Sequence, residues 1–200
     1  MTLFQLLMLG ASAFFAYKIY EHIGTLQDPT EETNKADTQH DNVASLIEQA
    51  DEAMQEGNLQ KALAIYSEAK FKEPDNPETL FKMGYTLAQQ NRDEEALDYY
   101  KDALKLAPND KYIHQAMASL YRKMGEFANA RIHLNKSLEI DPKSAITYYN
   151  YGNLLVDMHH IDEAKEMYEK ALRLDPELHE AQEELEKLQK DVKDDNSTSI

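Results

Sequence analysis

The chain changes character three times when its apolar and polar positions are followed from one end to the other. Residues 3–17 (LFQLLMLGASAFFAY) are almost entirely apolar, whereas residues 25–42 (TLQDPTEETNKADTQHDN) hold five acids, one lysine and almost no large apolar side chain. From Val43 to about Val192, apolar residues recur at helical spacing between charged ones, and residues 194–200 are again polar. The pattern therefore predicts an apolar helix, an acidic flexible linker, a long helical region and a disordered tail.

Residues 1–24 are predicted to form a single-pass membrane anchor. Eighteen helical residues rise about 27 Å, close to a hydrocarbon core of roughly 30 Å, and Tyr17 and Tyr20 suit the membrane interface. A cleaved signal peptide is one alternative, because Ala-Ser-Ala at 11–13 resembles a cleavage site, although no basic side chain precedes it; a docked core helix is another. Lys18 follows the apolar run, so the positive-inside bias weakly places the remaining chain in the cytoplasm.

The region after the linker repeats with a period of 34 residues. Four sets of equivalent positions carry this period: the small residues Ala50, Gly84, Ala118 and Gly152; the alanines Ala62, Ala96, Ala130 and Ala164; the bulky residues Tyr66, Tyr100, Leu134 and Tyr168; and the prolines Pro74, Pro108, Pro142 and Pro176. The four units are 43–76, 77–110, 111–144 and 145–178. Each unit is predicted to be two helices that cross closely at small residues, and each Pro ends the second helix because it lacks an N–H.

This pattern resembles the tetratricopeptide repeat family, whose units also combine small residues at a helix crossing, a nearby aromatic and a closing Pro. The resemblance covers residues 43–178 and implies an all-α, right-handed superhelical solenoid of four helix pairs. Residues 179–193 continue as one amphipathic helix, with Ala181, Leu185 and Leu188 on a single stripe, and are predicted to cap the stack. The transmembrane helix and the linker would precede this solenoid.

Composition and charge exclude several classes of function. The chain holds 37 acids against 21 lysines and arginines, a net charge of −16, so nucleic-acid phosphates would repel it. It has no cysteine, which excludes disulfides, thiolate metal sites and a cysteine nucleophile. His159 and His160 fall at a predicted turn, and no hydrolase, nucleotide-binding or metalloprotease motif occurs. We therefore expect a chain that is not an enzyme, with no catalytic residue, cofactor, metal or nucleic-acid partner.

The family resemblance implies that the first helices of the units line a concave groove that holds an extended peptide or a partner helix. Aromatic and amide side chains there suit peptide recognition, because Asn and Gln both donate to and accept from a peptide backbone. The alternative is that several of them are ordinary surface or packing residues. The predicted partner-binding residues are Phe81, Lys82, Tyr85, Gln89, Tyr112, Gln115, Ser119, Arg122, Lys123, Tyr149, Asn150 and Asn153.

Two further patterns concern the chemistry of a partner. Some family members clamp a terminal carboxylate with Lys, Asn and Arg; Asn150 matches the Asn, but Glu180 and Glu184 stand where the bases would be, so we reject a clamp. The four units carry charges of −4, −3, +3 and −4. Arg122 and Lys123 of the basic third unit lie near the groove and predict attraction for an acidic segment; the alternative is that they compensate the acidic neighbouring units.

Two functions follow from these observations. The first is a membrane-anchored scaffold that binds an unidentified protein or peptide partner in the groove of the repeats. The second is a structural component of a membrane or envelope complex that assembles as a homo-oligomer, with the groove incidental.

Overall fold

The computed structural model describes residues 29–197, with side chains for residues 42–190. This part of the chain consists of helices joined by short turns and contains no strand, so the prediction of an all-α fold is confirmed. The helices are α1 (Pro29–Gln55), α2 (Leu59–Lys72), α3 (Pro77–Gln89), α4 (Asp93–Leu106), α5 (Lys111–Lys123), α6 (Phe127–Ile140), α7 (Ala145–Asp157), α8 (Ile161–Leu174) and α9 (His179–Ser197).

The helix starts keep the period of the sequence. The first helices α3, α5, α7 and α9 begin at 77, 111, 145 and 179, and the second helices α2, α4, α6 and α8 begin at 59, 93, 127 and 161. Both series advance by 34 residues, which is the repeat found in the sequence. The helix pairs therefore stack as a solenoid, in which each pair contacts its neighbours along the chain.

A left-handed residue ends the first helix of every unit. The residues with positive φ are Gly57 (75°), Asn91 (59°), Gly125 (76°) and His159 (60°). The N–H of the next residue then bonds to the carbonyl five positions earlier, as from His160 to Leu155 at 2.8 Å, which satisfies an otherwise unpaired carbonyl at the helix end. Gly and Asn take this conformation readily, and the fourth such residue, His159, forms the His159-His160 turn.

The small residues at the crossing make room for a tyrosine from the second helix. A Cβ on Gly84 would lie 2.7 Å from Cδ1 of Tyr100, and a Cβ on Gly152 would lie 2.6 Å from Cδ1 of Tyr168. Either contact is too close for any larger residue without movement of the ring. The crossing therefore lets the tyrosine ring become almost completely buried in each of these two units.

The apolar core changes along the stack. One large cluster of buried apolar residues runs from unit 2 into unit 3, and another runs from unit 4 into α9. Units 3 and 4 share a smaller cluster, which consists of Ala118, Ala130, Leu134 and Leu154. Beside it lies a buried polar network in which Gln115 Nε2 donates to Thr147 Oγ1 at 2.7 Å and to Ser144 Oγ at 3.1 Å, and Ser137 Oγ lies 2.9 Å from Thr147 Oγ1.

Helix α9 has the register of the first helix of a fifth unit, but it cannot receive a second helix in the same way. Its crossing position is Glu186, where the four units carry Ala or Gly. Its buried residues Ala181, Leu185 and Leu188 pack in one cluster with Tyr168 of α8. Residues 194–197 belong to this helix, so the predicted tail at 194–200 is corrected for those four positions.

Helix α1 begins well before the first unit. Residues 29–42 are helical, which corrects the prediction that residues 25–42 are a flexible linker. Pro29 at the first helical position is already fixed near helical φ, and acids in a first turn favour the positive end of the helix dipole. By its internal contacts the chain divides into two compact parts, one ending at Ser45 and the other beginning at Leu46. The groove described below lies wholly in the part that begins at Leu46.

The membrane anchor predicted at residues 1–24 lies outside the described residues. Among the helices that the structure does describe, none has both the length and the apolar character needed to cross a bilayer.

Candidate functional site

A cavity of about 510 Å³ lies on the surface formed by the first helices of units 2 and 3. Helices α3 and α5 supply most of its wall, and Asn150 of α7, Tyr100 of α4 and the turn residue Asn91 complete it. The lining residues are Phe81, Tyr85, Ala88, Gln89, Asn91, Tyr100, Tyr112, Gln115, Ala116, Ser119, Leu120, Lys123 and Asn150.

The cavity brings together eight of the twelve predicted partner-binding residues. They are Phe81, Tyr85, Gln89, Tyr112, Gln115, Ser119, Lys123 and Asn150. The other four, which are Lys82, Arg122, Tyr149 and Asn153, do not line it. Sequence reasoning missed Ala88 and Ala116, although each lies three or four residues from a predicted tyrosine on the same helix, a spacing that places them on one face.

Four aromatic residues line the cavity. Phe81 packs on Tyr100 with ring centroids 5.6 Å apart, and burial raises the pKa of the Tyr100 hydroxyl above its usual value. Tyr85 and Tyr112 instead reach solvent, with 46% and 59% of their surfaces exposed. Exposed tyrosines beside the buried Tyr100 and the partly buried Phe81 give the cavity apolar walls with hydroxyl groups at its rim.

A second cavity of about 510 Å³ adjoins the first and extends the groove toward unit 1. Tyr85 and Gln89 line both cavities, and Met54, Gln55 and Leu59 supply part of the remaining wall. The groove is therefore long enough to engage more of a partner than a single side chain.

Every cation predicted for the groove already has an acidic partner from a neighbouring unit. Lys82 pairs with Asp51 of unit 1, Lys123 Nζ lies 2.8 Å from Asp93 Oδ1 of unit 2, and Arg122 Nη1 lies 2.8 Å from Asp157 Oδ2 of unit 4. Lys123 also donates to the turn residue Asn91 at 2.9 Å. This geometry favours the alternative in which the basic third unit compensates its acidic neighbours.

Two of the predicted amides are engaged inside the solenoid. Gln115 is buried and donates into the network between units 3 and 4, and Asn153 Oδ1 accepts the hydroxyl hydrogen of Tyr168 at 2.6 Å. Asn150, by contrast, lies half-buried at the cavity wall. Asn150 and Gln89 are thus the predicted amides best placed to meet a peptide backbone.

A pair of histidines lies in the interior of unit 3, away from this cavity. His114 Nδ1 and His133 Nδ1 are 2.9 Å apart, and His114 Nε2 lies 3.3 Å from the carbonyl oxygen of Pro108. If His114 donates to Pro108, its Nδ1 accepts from His133, so the His114 ring is neutral. Burial and the neighbouring ring lower the pKa of His133 to about 4, and burial also lowers the pKa of His114. Within the described part of the chain, no three potential metal ligands come together.

Two sequence models of the tetratricopeptide repeat match the chain, one over residues 53–120 and the other over residues 112–177. Together they span most of the four units and meet within α5. The chain belongs to the tetratricopeptide repeat family. In this family the repeats bind protein or peptide partners and members are generally scaffolds, although one relative, from Caenorhabditis elegans, is named a protein O-mannosyl-transferase.

Individual relatives agree with this assignment. Hsp70-Hsp90 organizing protein 3 of Arabidopsis thaliana is 27% identical over 154 residues, which are 76% of this chain and 26% of that protein. The structure of MamA, from residue 41 to its end, of Desulfovibrio magneticus RS-1 gives a TM-score of 0.65 at 25% identity and covers 79% of this chain and 89% of that chain. The chain spans only 11% to 26% of the length of the first curated relatives.

One related structure contains a peptide. The first tetratricopeptide domain of Spaghetti (RPAP3), bound to the HSP90 peptide SRMEEVD, gives a TM-score of 0.54 at 26% identity and covers 58% of this chain and 92% of that chain.

Proposed function

We propose that this tetratricopeptide repeat protein is a membrane-anchored scaffold whose groove binds a segment of a partner protein. The cavity on α3 and α5 is the observation that carries the proposal, because it joins aromatic walls to amide side chains on the first-helix surface. Its volume of about 510 Å³ falls within the range of roughly 300–1,000 Å³ that is typical of binding pockets. The peptide bound to the related RPAP3 domain supports a peptide segment as the ligand class.

The contacts support different tasks for the predicted groove residues. Tyr85, Tyr112 and Ser119 are exposed in the groove and are free to touch a partner, and Asn150 meets its backbone. Lys82 and Arg122 act through ion pairs that join neighbouring units. A partner would therefore gain most of its binding free energy at the aromatic residues and Asn150.

The membrane anchor is the second part of the proposal. The apolar run at residues 3–17 supports it, and Lys18 supports a cytoplasmic location for the repeats. We expect the full chain to remain in the membrane fraction after alkaline carbonate washing, and a chain without residues 1–24 to appear in the supernatant. Equal distribution of the two chains would disprove the anchor without affecting the groove.

Site-specific photo-cross-linking in cells tests the groove directly. The photoreactive residue p-benzoylphenylalanine is placed at Ser119, which is exposed at the cavity, and in a matched chain at Ser67, which is exposed on α2 outside it. Ser119 should give a discrete cross-linked species with a second protein, and Ser67 should not.

Two other results would change the proposal. Cross-linking of Ser119 to a second copy of the chain would favour the homo-oligomeric assembly. The same cross-linked species from both positions would place the partner outside the groove.

A further inference from the structure

The charges around the cavity narrow the chemistry of the partner segment. We propose that the cavity takes large apolar side chains from a segment whose flanking residues are basic. This inference rests on the proposed groove function and makes it more specific.

The interior of the cavity suits an apolar side chain. Phe81, Tyr100 and Leu120 line it together with Ala88 and Ala116, whose small side chains leave the space open. A carboxylate or an ammonium group placed there would lose hydration without gaining an unpaired ion of opposite charge. A Leu, Met or Phe side chain has no charged group whose hydration would be lost, and it would exclude water from the aromatic walls.

The cations around the groove do not favour an acidic segment. The ion pairs are Lys82 with Asp51 and Glu78, Lys123 with Asp93, and Arg122 with Asp157. Lys111, whose Nζ lies 5.1 Å from the ring centroid of the cavity residue Tyr112, pairs likewise with Asp141. Four cations thus face five carboxylates, and an acidic ligand would have to compete with bonds that already join the units. The balance at the groove is slightly negative, as is the protein as a whole at −16.

Further acids lie in the repeats on either side of the cavity, at positions equivalent to two of its lining residues. Two repeats before Ala116 the equivalent residue is Glu48, and two repeats after Tyr112 it is Glu180. Both glutamates are exposed. An apolar centre between two acidic ends is complementary to a segment with an apolar centre and basic ends, which such a field would also attract and orient.

A random dodecapeptide display library is the probe, selected against the full chain in phosphatidylcholine nanodiscs after removal of peptides that bind empty nanodiscs. The neutral lipid ensures that basic peptides are not enriched by the membrane itself. The expected result is enrichment of peptides with two or more adjacent large apolar residues flanked by Lys or Arg.

Affinities of synthetic copies of the enriched peptides locate their site. Ser119→Trp should fill the cavity and raise Kd at least about tenfold, whereas the matched Ser67→Trp should leave it unchanged. Tyr112→Ser, which removes an exposed aromatic wall, provides a second variant with little risk to folding. Helical circular dichroism and the thermal midpoint of each variant confirm that the fold is intact.

The charge part of the inference has its own variants. Glu48→Gln with Glu180→Gln should raise Kd about three- to tenfold at low salt and much less at high salt, because exposed charges are screened. Glu68→Gln with Glu94→Gln, which removes two exposed acids from second helices, is the matched control and should leave Kd unchanged.

The outcomes separate the two levels of the proposal. Enrichment of acidic peptides that Ser119→Trp abolishes would overturn the inference and leave the groove function in place. Enriched peptides that ignore Ser119→Trp and Tyr112→Ser, or no enrichment at all, would overturn both.

Discussion

Two junctions of the same solenoid are built from the same positions with opposite chemistry. Between units 2 and 3, the equivalent positions hold Phe81, Ala103, Asp110 and Ile113, of which Ala103 and Ile113 are buried in the large apolar cluster. Between units 3 and 4 they hold Gln115, Ser137, Ser144 and Thr147, which bond to one another. The backbone period is therefore set by the crossing and turn residues, while the chemistry that joins the units can be chosen junction by junction.

Apolar and polar junctions between units should respond differently to substitutions. An apolar junction loses stability in proportion to the apolar contact that is removed. A buried polar network contributes little net free energy for each hydrogen bond, but it is strongly destabilised when one partner is removed and another is left unpaired. The junction of units 3 and 4 should thus be the more sensitive to single polar deletions.

The largest expected loss of stability comes from placing the threonine of the polar junction at the equivalent position of the apolar junction. Ile113→Thr buries a hydroxyl beside Phe81 and Ala103, neither of which has a side-chain polar atom, and removes apolar contact. We expect a loss of about 3 kcal/mol in the free energy of unfolding, measured by urea titration. Ile132→Thr, at a position with 63% exposure, is the matched control and should change little. Equal losses in the two variants would contradict the packing described for Ile113.

The next effect comes from deleting the centre of the polar network. Thr147→Val keeps the shape of the side chain but leaves Gln115 and Ser137 without one of their partners. The free energy of unfolding should fall by about 2 kcal/mol, measured in the same way.

The same substitution two repeats earlier should behave differently. Thr79 is equivalent to Thr147 and equally buried, yet its Oγ1 has no hydrogen-bond partner among the described residues. Thr79→Val should therefore be neutral or stabilising. A similar loss in both variants would mean that the network adds nothing specific to the junction.

The smallest effect depends on pH and on the histidine pair of unit 3. Because the folded state holds His114 and His133 neutral, the unfolded chain binds more protons below about pH 6.5. The free energy of unfolding should thus fall as the pH drops from about 6.5 toward 4, by about 1 kcal/mol at pH 5 once the solvent that reaches His133 is allowed for. Lys136 adds to this effect at His114, while Asp110 and Glu139 oppose it.

Replacing the two histidines by the equivalent residues of unit 2 tests whether they cause the loss of stability in acid. His114→Leu with His133→Tyr introduces the equivalents Leu80 and Tyr99 and should flatten the stability profile between pH 6.5 and 5. His179→Gln, at the exposed start of α9, should keep the acid sensitivity. An unchanged profile in the double variant would assign the acid sensitivity to other groups.

The sequence predicted those features that depend on residues close together in the chain. The small crossing residues and the closing prolines each have a local cause, so the period and the helices followed from them. The start of α1 was missed because the acidic composition of residues 25–42 indicated disorder, whereas Pro29 and acids in a first turn favour a helix.

The candidate site was only partly predictable because it depends on contacts between units. Register alone identified Tyr85, Tyr112 and Asn150 at the cavity. It could not show that the amides of Gln115 and Asn153 are already bonded, because their partners Thr147 and Tyr168 lie 32 and 15 residues away. Side-chain partners at such distances are set by how the units stack, which no local pattern specifies.

The register of α9 makes the length of this protein modular. Because α9 begins 34 residues after α7, a duplicate of residues 145–178 inserted after Leu178 would present α9 with the same helix that it now covers. Glu186 would still stop growth at the new end, since no tyrosine ring can approach its crossing position as one approaches Gly152. The repeat stack could thus be lengthened by whole units while α9 continues to cover its last unit.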